Sequence, residues 1–230
     1  MYLSRMYLNP QRRGTRKLVA NPEAMHAAVM SAFPPDTDTS AGEGRVLWRL
    51  DSENHRLALY VVSRARPSFE HLQEQAGWEN QKSWSIGDYS AVLDSISVGK
   101  RFQFRLAANP VRSVHDPETG KQKRLGHVTA AQQRGWLLNR AEAIGVKFLE
   151  IPLTSDSEEI SEESVRVTRR EVLRFPRKGK NVTIARAQFD GVLEVTDPVA
   201  FRTALTCGIG KAKGYGCGLM TVAPFLGARE

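Results

Sequence analysis

Five glycines and two lysines lie within eleven residues near the end of the chain, in the stretch Gly208-Ile209-Gly210-Lys211-Ala212-Lys213-Gly214-Tyr215-Gly216-Cys217-Gly218. Glycine lets a backbone take positive φ values and come close to a ligand, and lysine attracts anions. We expect such a positive φ at Gly214. The stretch therefore predicts a loop that binds phosphate through Gly210, Lys211, Lys213, Gly214 and Gly216.

The elements on either side of this glycine loop exclude two common nucleotide sites. Asp197-Pro198 predicts the start of a helix that ends at Gly208, and residues 219–222 predict a last strand. A Walker A loop opens a helix, and a dinucleotide fingerprint needs a further helix and strand, but only twelve residues follow Gly218. A flexible connection remains an alternative, as do glycines that only allow the last helix and strand to pack closely.

One of the five histidines, His26, is the candidate for proton transfer. It follows the helix start Asn21-Pro22 and lies beside an apolar stripe, close in sequence to several arginines. Cationic neighbours and the positive end of a helix both disfavour imidazolium, which leaves a neutral ring that exchanges protons near pH 7. A surface histidine without a function is the alternative. His55, His115 and His127 are predicted in turns or charged loops, and His71 is ambiguous.

The positive charge of the chain is concentrated in one segment. The net charge is +8, and residues 164–214 contain eleven Lys or Arg against four acids. A solvated basic face is the ordinary explanation of such a run, but a segment this basic that ends in a Gly-Lys loop favours nucleic-acid binding. The predicted RNA contacts outside the loop are Arg12, Arg13, Arg16, Arg169, Arg170, Arg177, Lys178 and Lys180.

Composition sets the remaining limits. The chain has 230 residues, of which 41% are hydrophobic and 25% charged, which suits one large domain or two small ones. It has no run of eighteen apolar residues and no signal peptide pattern, so we expect a cytoplasmic protein with no membrane partner. Cys207 and Cys217 form no metal-ligand motif, and we expect reduced thiols, no metal and no cofactor.

The first half of the chain predicts a strand over 1–8, a basic turn that includes Lys17, and a helix from Asn21 to the Pro34-Pro35 pair. A hairpin with strands 45–50 and 56–63 follows, then a weak helix over 67–75 and an irregular aromatic segment over 78–89. Apolar residues recur at helical spacing in the first helix, which predicts that one face of it is buried.

The second half predicts a strand over 101–106, a loop to Thr129, a helix to Arg140, and a strand over 147–153. An acidic loop over 156–163 comes before a long basic hairpin with arms at 165–175 and 182–195 and a tip at 177–181. Both halves thus run strand, helix, strand, strand, helix, strand. The predicted fold class is α+β with two tandem ferredoxin-like domains, as in RNA-recognition motifs, at 1–95 and 96–230; one larger α+β domain is the alternative.

Phosphate-binding cations, one histidine and no metal-ligand set favour RNA transesterification, in which a ribose 2′-OH attacks its own 3′ phosphate. Two other classes of protein stay open. One is a catalytically inactive module that holds structured RNA, and the other is an enzyme for a small phosphorylated metabolite. The metabolite enzyme does not account for the basic hairpin.

Three motifs in this order resemble CasE, the CRISPR-associated endoribonuclease of the type I-E Cascade complex. They are Asn21-Pro22-x-x-Met25-His26, Phe104-Arg105-Leu106-x-x-Asn109-Pro110, and the glycine loop continued to Leu219. The resemblance covers essentially the whole chain.

This resemblance implies metal-independent cleavage of precursor CRISPR RNA at the base of the repeat hairpin, with 2′,3′-cyclic phosphate and 5′-OH ends. It also implies retention of the product and contacts with mature CRISPR RNA and other Cascade subunits. The family's catalytic histidine falls on His26. Some members have a tyrosine where this chain has Glu23, so stabilisation of the phosphate falls to cations such as Lys178 or Lys180.

Overall fold

A computed structural model of the chain shows two antiparallel sheets of four and five strands, together with two short ribbons. It describes residues 1–35, 37, 45–53, 56–115, 120, 122–153, 160–162, 165–177 and 179–225. No helix among these residues is long and apolar enough to cross a bilayer.

The first sheet belongs to a ferredoxin-like unit. Its strands lie in the order β2-β3-β1-β4, and each neighbouring pair is antiparallel. The elements of this unit are β1 (Tyr2–Leu8), α1 (Arg13–Ala20), α2 (Pro22–Met30), β2 (Leu47–Glu53), β3 (Arg56–Ser63), α3 (Glu70–Ala76), β4 (Trp84–Asp88) and α4 (Ser90–Asp94). The predicted βαββαβ order of the first half is thereby confirmed.

The second sheet repeats this plan with additions. Its elements are β5 (Arg101–Ala108), β6 (Val111–His115), β7 (Gln122–Gly126), α5 (Ala130–Leu138), β8 (Val146–Leu149), β9 (Ile151–Leu153), β10 (Ile160–Glu162), β11 (Val165–Arg177), β12 (Lys180–Val195), α6 (Pro198–Cys207) and β13 (Met220–Pro224). The order is β11-β12-β5-β13, and β8 pairs with the end of β12. The α+β class with two ferredoxin-like units is thus confirmed.

The β11–β12 hairpin extends past the sheet. Strand β12 pairs with β5 from Ala187 to Glu194, whereas its pairing with β11 continues to the Arg177–Lys180 pair. We call residues 171–186 the hairpin arm. Lys178 lies outside the described residues, and only the backbone of Lys180 is described.

Two helix starts follow the sequence prediction in atomic detail. The Asn21 side chain accepts hydrogen bonds from the N–H groups of Glu23 and Ala24, with Pro22 at the first helical position. Asp197 does the same for α6, with Pro198 next to it. Such caps satisfy N–H groups that have no partner inside the helix, so both helices begin where the sequence predicts.

The two units share buried side chains. One core cluster lies within the first unit and includes Met6, Met25 and Trp48. Another contains Leu47 and Val62 of the first unit together with many apolar residues of the second. Helix α2 is therefore held by the first core, while the contact between the units is part of the second.

A buried arginine links the units. Arg49 on β2 is 1% exposed, and its Nε and Nη2 donate to the two carboxylate oxygens of Asp51 at 2.7 and 2.9 Å. Its Nη1 donates to the carbonyls of Arg105 at 2.8 Å and Leu219 at 3.1 Å, and Nη2 donates to Thr221 Oγ1 at 2.8 Å. The guanidinium thus joins β2 of the first unit to β5 and β13 of the second. Its partner Leu219 lies where the glycine loop ends.

Four local predictions were wrong. The basic turn is the start of helix α1, which buries Thr15 and Leu18 and leaves its charges in solvent. The aromatic segment contains β4, because it pairs with β1. The predicted loop to Thr129 contains the β6–β7 ribbon, and the single strand over 147–153 is two strands with different partners. In each case the element depends on distant pairing or on a short buried stripe, which local patterns do not show.

Candidate active site and RNA-binding surface

His26 and the glycine loop, far apart in sequence, lie against each other. The loop passes beside α2 as a single 3-10 turn, Lys213–Tyr215. A methyl group placed on Gly214 would lie 3.6 Å from His26 Nε2. The two motifs singled out for chemistry therefore form one site at the contact between the units.

The His26 ring is fixed so that one nitrogen is withdrawn from solvent. The side chain is partly exposed, but Nδ1 is buried and has no hydrogen-bond partner among the described residues. The nitrogen next to the loop is Nε2. This makes Nε2 the atom suited to exchange a proton with a bound substrate.

Burial lowers the pKa of His26, and the charges of Arg177 and Arg45 lower it further, while Glu23 acts in the opposite direction. The neutral ring is therefore the main form at pH 7. A neutral imidazole accepts a proton, as a general base must.

Substitutions of its charged neighbours should move the pKa of His26 in either direction. We expect the His26 signal in an NMR titration to have a midpoint below 6.5, because burial and cations disfavour imidazolium. Arg177→Gln should raise the midpoint, since it removes a cation, and Glu23→Gln should lower it, since it removes an anion. Cleavage should fall at acidic pH as the ring is protonated, and this acid limb should move with the midpoint in each variant. A shift of both variants in the same direction would contradict this electrostatic account.

Arg177 also attaches the hairpin arm to this site. Its Nε lies 3.7 Å from Glu23 Oε1, and its guanidinium carbon lies 5.5 Å from the centre of the Tyr215 ring. The ring of Phe175 lies 4.9 Å from that of Tyr215. The end of the arm thus packs on the glycine loop and on the first turn of α2.

Two further cations belong to the site. The Lys213 side chain is half-buried, and its pKa is lowered by burial and by the charge of Arg45. Arg45 acts on both His26 and Lys213. Sequence reasoning missed Arg45, because nothing in its local pattern distinguishes it from any arginine at the start of a strand.

Lys211 contacts a different part of the second unit. Its backbone forms an isolated antiparallel bridge with Asn109, and its side chain is exposed. It lines a cavity together with Arg112 and Arg140. Lys211 therefore belongs to a second basic surface, whereas Lys213 shares the neighbour Arg45 with His26.

The glycines of the loop have different roles. Gly208, Gly210, Gly216 and Gly218 have positive φ values between 76° and 93°, but Gly214 does not, so the expectation of a left-handed Gly214 was wrong. The left-handed residue in that part of the loop is Ala212, at φ 65°.

Close packing explains part of the glycine pattern. A Cβ at Gly216 would lie 2.6 Å from the Trp48 ring, and one at Gly210 would lie 3.0 Å from Trp136. These positions require glycine for packing as well as for conformation. At Gly214 a Cβ would make only ordinary contact, with His26.

The cations predicted near the N-terminus separate into two kinds. Arg12 donates to the carbonyls of Gln73 and Glu74 at the end of α3 and lies 3.1 Å from Glu79. Its guanidinium is thus occupied within the fold. Arg13 and Arg16 are exposed on α1, where they are open to RNA.

The cations at the base of the hairpin arm are exposed as well. Arg169 lies 3.7 Å from Glu171, and Arg170 donates to the carbonyl of Val128. Both stay accessible at the surface. The structure therefore brings Arg177 and Gly214 to His26 and leaves Arg169 and Arg170 at the other end of the arm.

The remaining candidates are two further histidines and the two cysteines. His71 Nε2 lies 2.9 Å from the carbonyl of Ala28, and His55 is not among the described residues. Neither Cys207 nor Cys217 is part of a disulfide bond, and Cys217 is buried, which raises its pKa to about 12. Within the described ranges, no group of three His, Cys, Asp or Glu side chains is arranged to hold a metal ion.

Comparisons with known proteins agree on one family. A family described as CRISPR associated protein matches residues 1–224. The CRISPR-associated endoribonuclease Cse3 of Thermus thermophilus is 29% identical over 232 residues, which cover 97% of this chain and 100% of that protein. The CRISPR system Cascade subunit CasE of Escherichia coli is 30% identical over 140 residues, or 56% of this chain and 61% of that one. A structure of Cse3 bound to a 19-nucleotide RNA has a TM-score of 0.73 and 28% identity, covering 97% and 98% of the two chains.

Proposed function

The chain belongs to the CRISPR-associated protein family, and from this premise we propose that it is a metal-independent endoribonuclease that cleaves precursor CRISPR RNA at the base of the repeat hairpin. The resemblance to CasE seen in the three sequence motifs is confirmed. That one relative is named an endoribonuclease and another is solved with RNA supports the same function for this chain.

The observation that carries the proposal is the position of His26 Nε2 beside Gly214 with cations around it. RNA bound across the surface where α2 meets the glycine loop would place a phosphate near Arg45, Arg177 and Lys213. His26 Nε2 takes the proton of the 2′-OH, and the 2′-oxygen attacks the adjacent phosphorus. The bond from phosphorus to the 5′-oxygen then breaks, and that oxygen takes a proton from water. The products are a 2′,3′-cyclic phosphate and a 5′-OH.

The cations raise the cleavage rate by stabilising the negative charge of the transition state. Charge develops on the phosphate oxygens in the transition state, and fixed cations around it stabilise that charge more than the ground state. Arg177 forms a partly exposed ion pair with Glu23, which stands where some relatives have tyrosine. Glu23 is therefore a positioning residue for Arg177 in this chain.

In this proposal each of the two units contributes a different part of the site. Residues 1–95 carry His26, and residues 96–230 carry the hairpin arm and the glycine loop. The arm lies along the phosphates of the RNA stem, since the major groove of A-form RNA is too deep and narrow for side chains to read. Contacts to both sides of the cut keep the product bound, which allows the chain to stay with mature CRISPR RNA and join other Cascade subunits.

A cleavage assay tests the function directly. We expect the chain to cut an end-labelled CRISPR repeat hairpin once, at the base of the stem, and to leave a cyclic phosphate that acid opens. EDTA should not change the rate, because no metal acts in the proposed step. A repeat RNA that binds but stays intact would favour the inactive RNA-binding module. Strict dependence on a divalent ion would overturn the mechanism.

A further inference from the structure

Two cavities border the glycine loop, and His26 lines neither of them. One, of about 660 Å³, is bounded by α5, β6 and the loop. The other, of about 880 Å³, is bounded by β7, the hairpin arm and the loop. Both are of the size that holds small ligands or parts of larger ones. Neither takes part in the proposed reaction at His26.

The first cavity is cationic. Arg112, Arg140 and Lys211 line it, together with His127. The Arg140 guanidinium carbon lies 4.1 Å from the centre of the Trp136 ring, and its Nη1 donates to the Trp136 carbonyl at 2.7 Å. The arginine is therefore fixed before any ligand arrives. Three cations converging on one cavity match a phosphate group.

The second cavity is mostly apolar. Val128 and Val172 line it and are 73% and 59% exposed, and Ile184 and Ala185 form part of its wall. Exposed apolar side chains that line a cavity favour a flat apolar ligand surface. A nucleobase has such a surface on each face.

The two cavities are neighbours. Val111, His127 and Lys211 line both of them. A ligand that occupies both must carry an anionic group next to a flat apolar group, and an RNA nucleotide does. We propose that the two cavities together form a subsite for one unpaired nucleotide, with its phosphate at Arg112, Arg140 and Lys211 and its base against Val128 and Val172.

This subsite rests on the proposed RNA-processing function and adds a second recognition point to it. Bases inside an RNA stem are inaccessible, whereas an unpaired base can turn out of the strand. Lys211 and Gly214 are three residues apart, so their Cα atoms lie at most about 11 Å from each other. The unpaired nucleotide therefore lies close to the cleaved bond, and its binding sets the register of the RNA on the protein.

An abasic scan of the RNA tests the subsite. The probe is a repeat hairpin with its flanking unpaired nucleotides and a 2′-deoxy group at the cut, in which the unpaired bases are removed one at a time. With the parent chain, removal of one particular base should weaken binding about fivefold or more. In the double variant Val128→Ser/Val172→Ser the same removal should have no effect. Arg112→Gln should weaken binding to the intact RNA and reduce its salt slope by about one.

Control variants with matched substitutions away from the cavities test whether the effects are specific to the subsite. Val98 and Val199 are 70% and 71% exposed, so Val98→Ser/Val199→Ser removes a similar apolar area elsewhere. Lys147 is exposed on β8, so Lys147→Gln removes one charge away from the cavity. Both controls should bind the RNA as the parent does and keep the abasic effect. An abasic effect that persists in Val128→Ser/Val172→Ser overturns the subsite while the proposed function stands. Failure of the parent chain to bind the hairpin at all overturns both.

Discussion

Replacing His26 with alanine is expected to lower the single-turnover cleavage rate by about 10²-fold or more while the affinity for RNA changes little. The reason is that Nε2 acts in the transition state, whereas the binding energy comes from the arm and the loop cations. Rate and affinity should be measured separately, with saturating protein for the rate. Added imidazole should restore part of the cleavage by His26→Ala, because the missing group is a base.

Two variants separate chemistry from packing at this position. His26→Gln keeps a polar side chain of similar size but cannot exchange the proton, and it should be as inactive as the alanine variant. His115 is exposed on β6, and His115→Ala should cleave at the parent rate. Cleavage at the parent rate by His26→Gln would exclude proton transfer by this ring.

Replacing Asp51 with alanine is expected to reduce the free energy of unfolding by about 3–5 kcal/mol. Arg49 would keep its charge in a site where it is 1% exposed, with only neutral oxygens around it. Because the same guanidinium binds β5 and β13, part of the loss should appear as weaker contact between the units. Urea unfolding of both proteins measures the difference.

An exposed ion pair serves as the control for this measurement. Glu79 faces Arg12 at 3.1 Å, but its side chain is 74% exposed. Glu79→Ala should change the stability by no more than about 1 kcal/mol, because water and salt screen such pairs. Equal effects of the Asp51 and Glu79 substitutions would show that burial of the arginine has no energetic importance.

Sequence patterns were sufficient where local chemistry determines the structure. The Asn21-Pro22 and Asp197-Pro198 pairs located both helix starts, because a cap acts within a few residues. The alternating residues of β1 and of the β11–β12 hairpin located those strands. The order of these elements then predicted both ferredoxin-like units.

Local sequence patterns did not predict the features that depend on contacts between residues distant in sequence. Whether Arg45 lies near His26 depends on how β2 packs beside α2 and the glycine loop, and residue spacing carries no information about this. The position of Lys211 depends on the bridge between its backbone and that of Asn109, which is distant in sequence. Gly214 was expected to need a left-handed backbone, but that conformation is taken by Ala212, and a side chain at Gly214 would make only ordinary contact with His26.

The accessibility of the Cys217 thiol depends on the position of the hairpin arm. Its thiol is packed against Phe175 and Ile184 of the hairpin arm, and its raised pKa keeps it protonated at neutral pH. An alkylating reagent needs an accessible thiolate, which exists only while the arm is lifted from the loop. The labelling rate of Cys217, measured separately from that of the partly exposed Cys207, therefore reports any movement of the arm away from the loop.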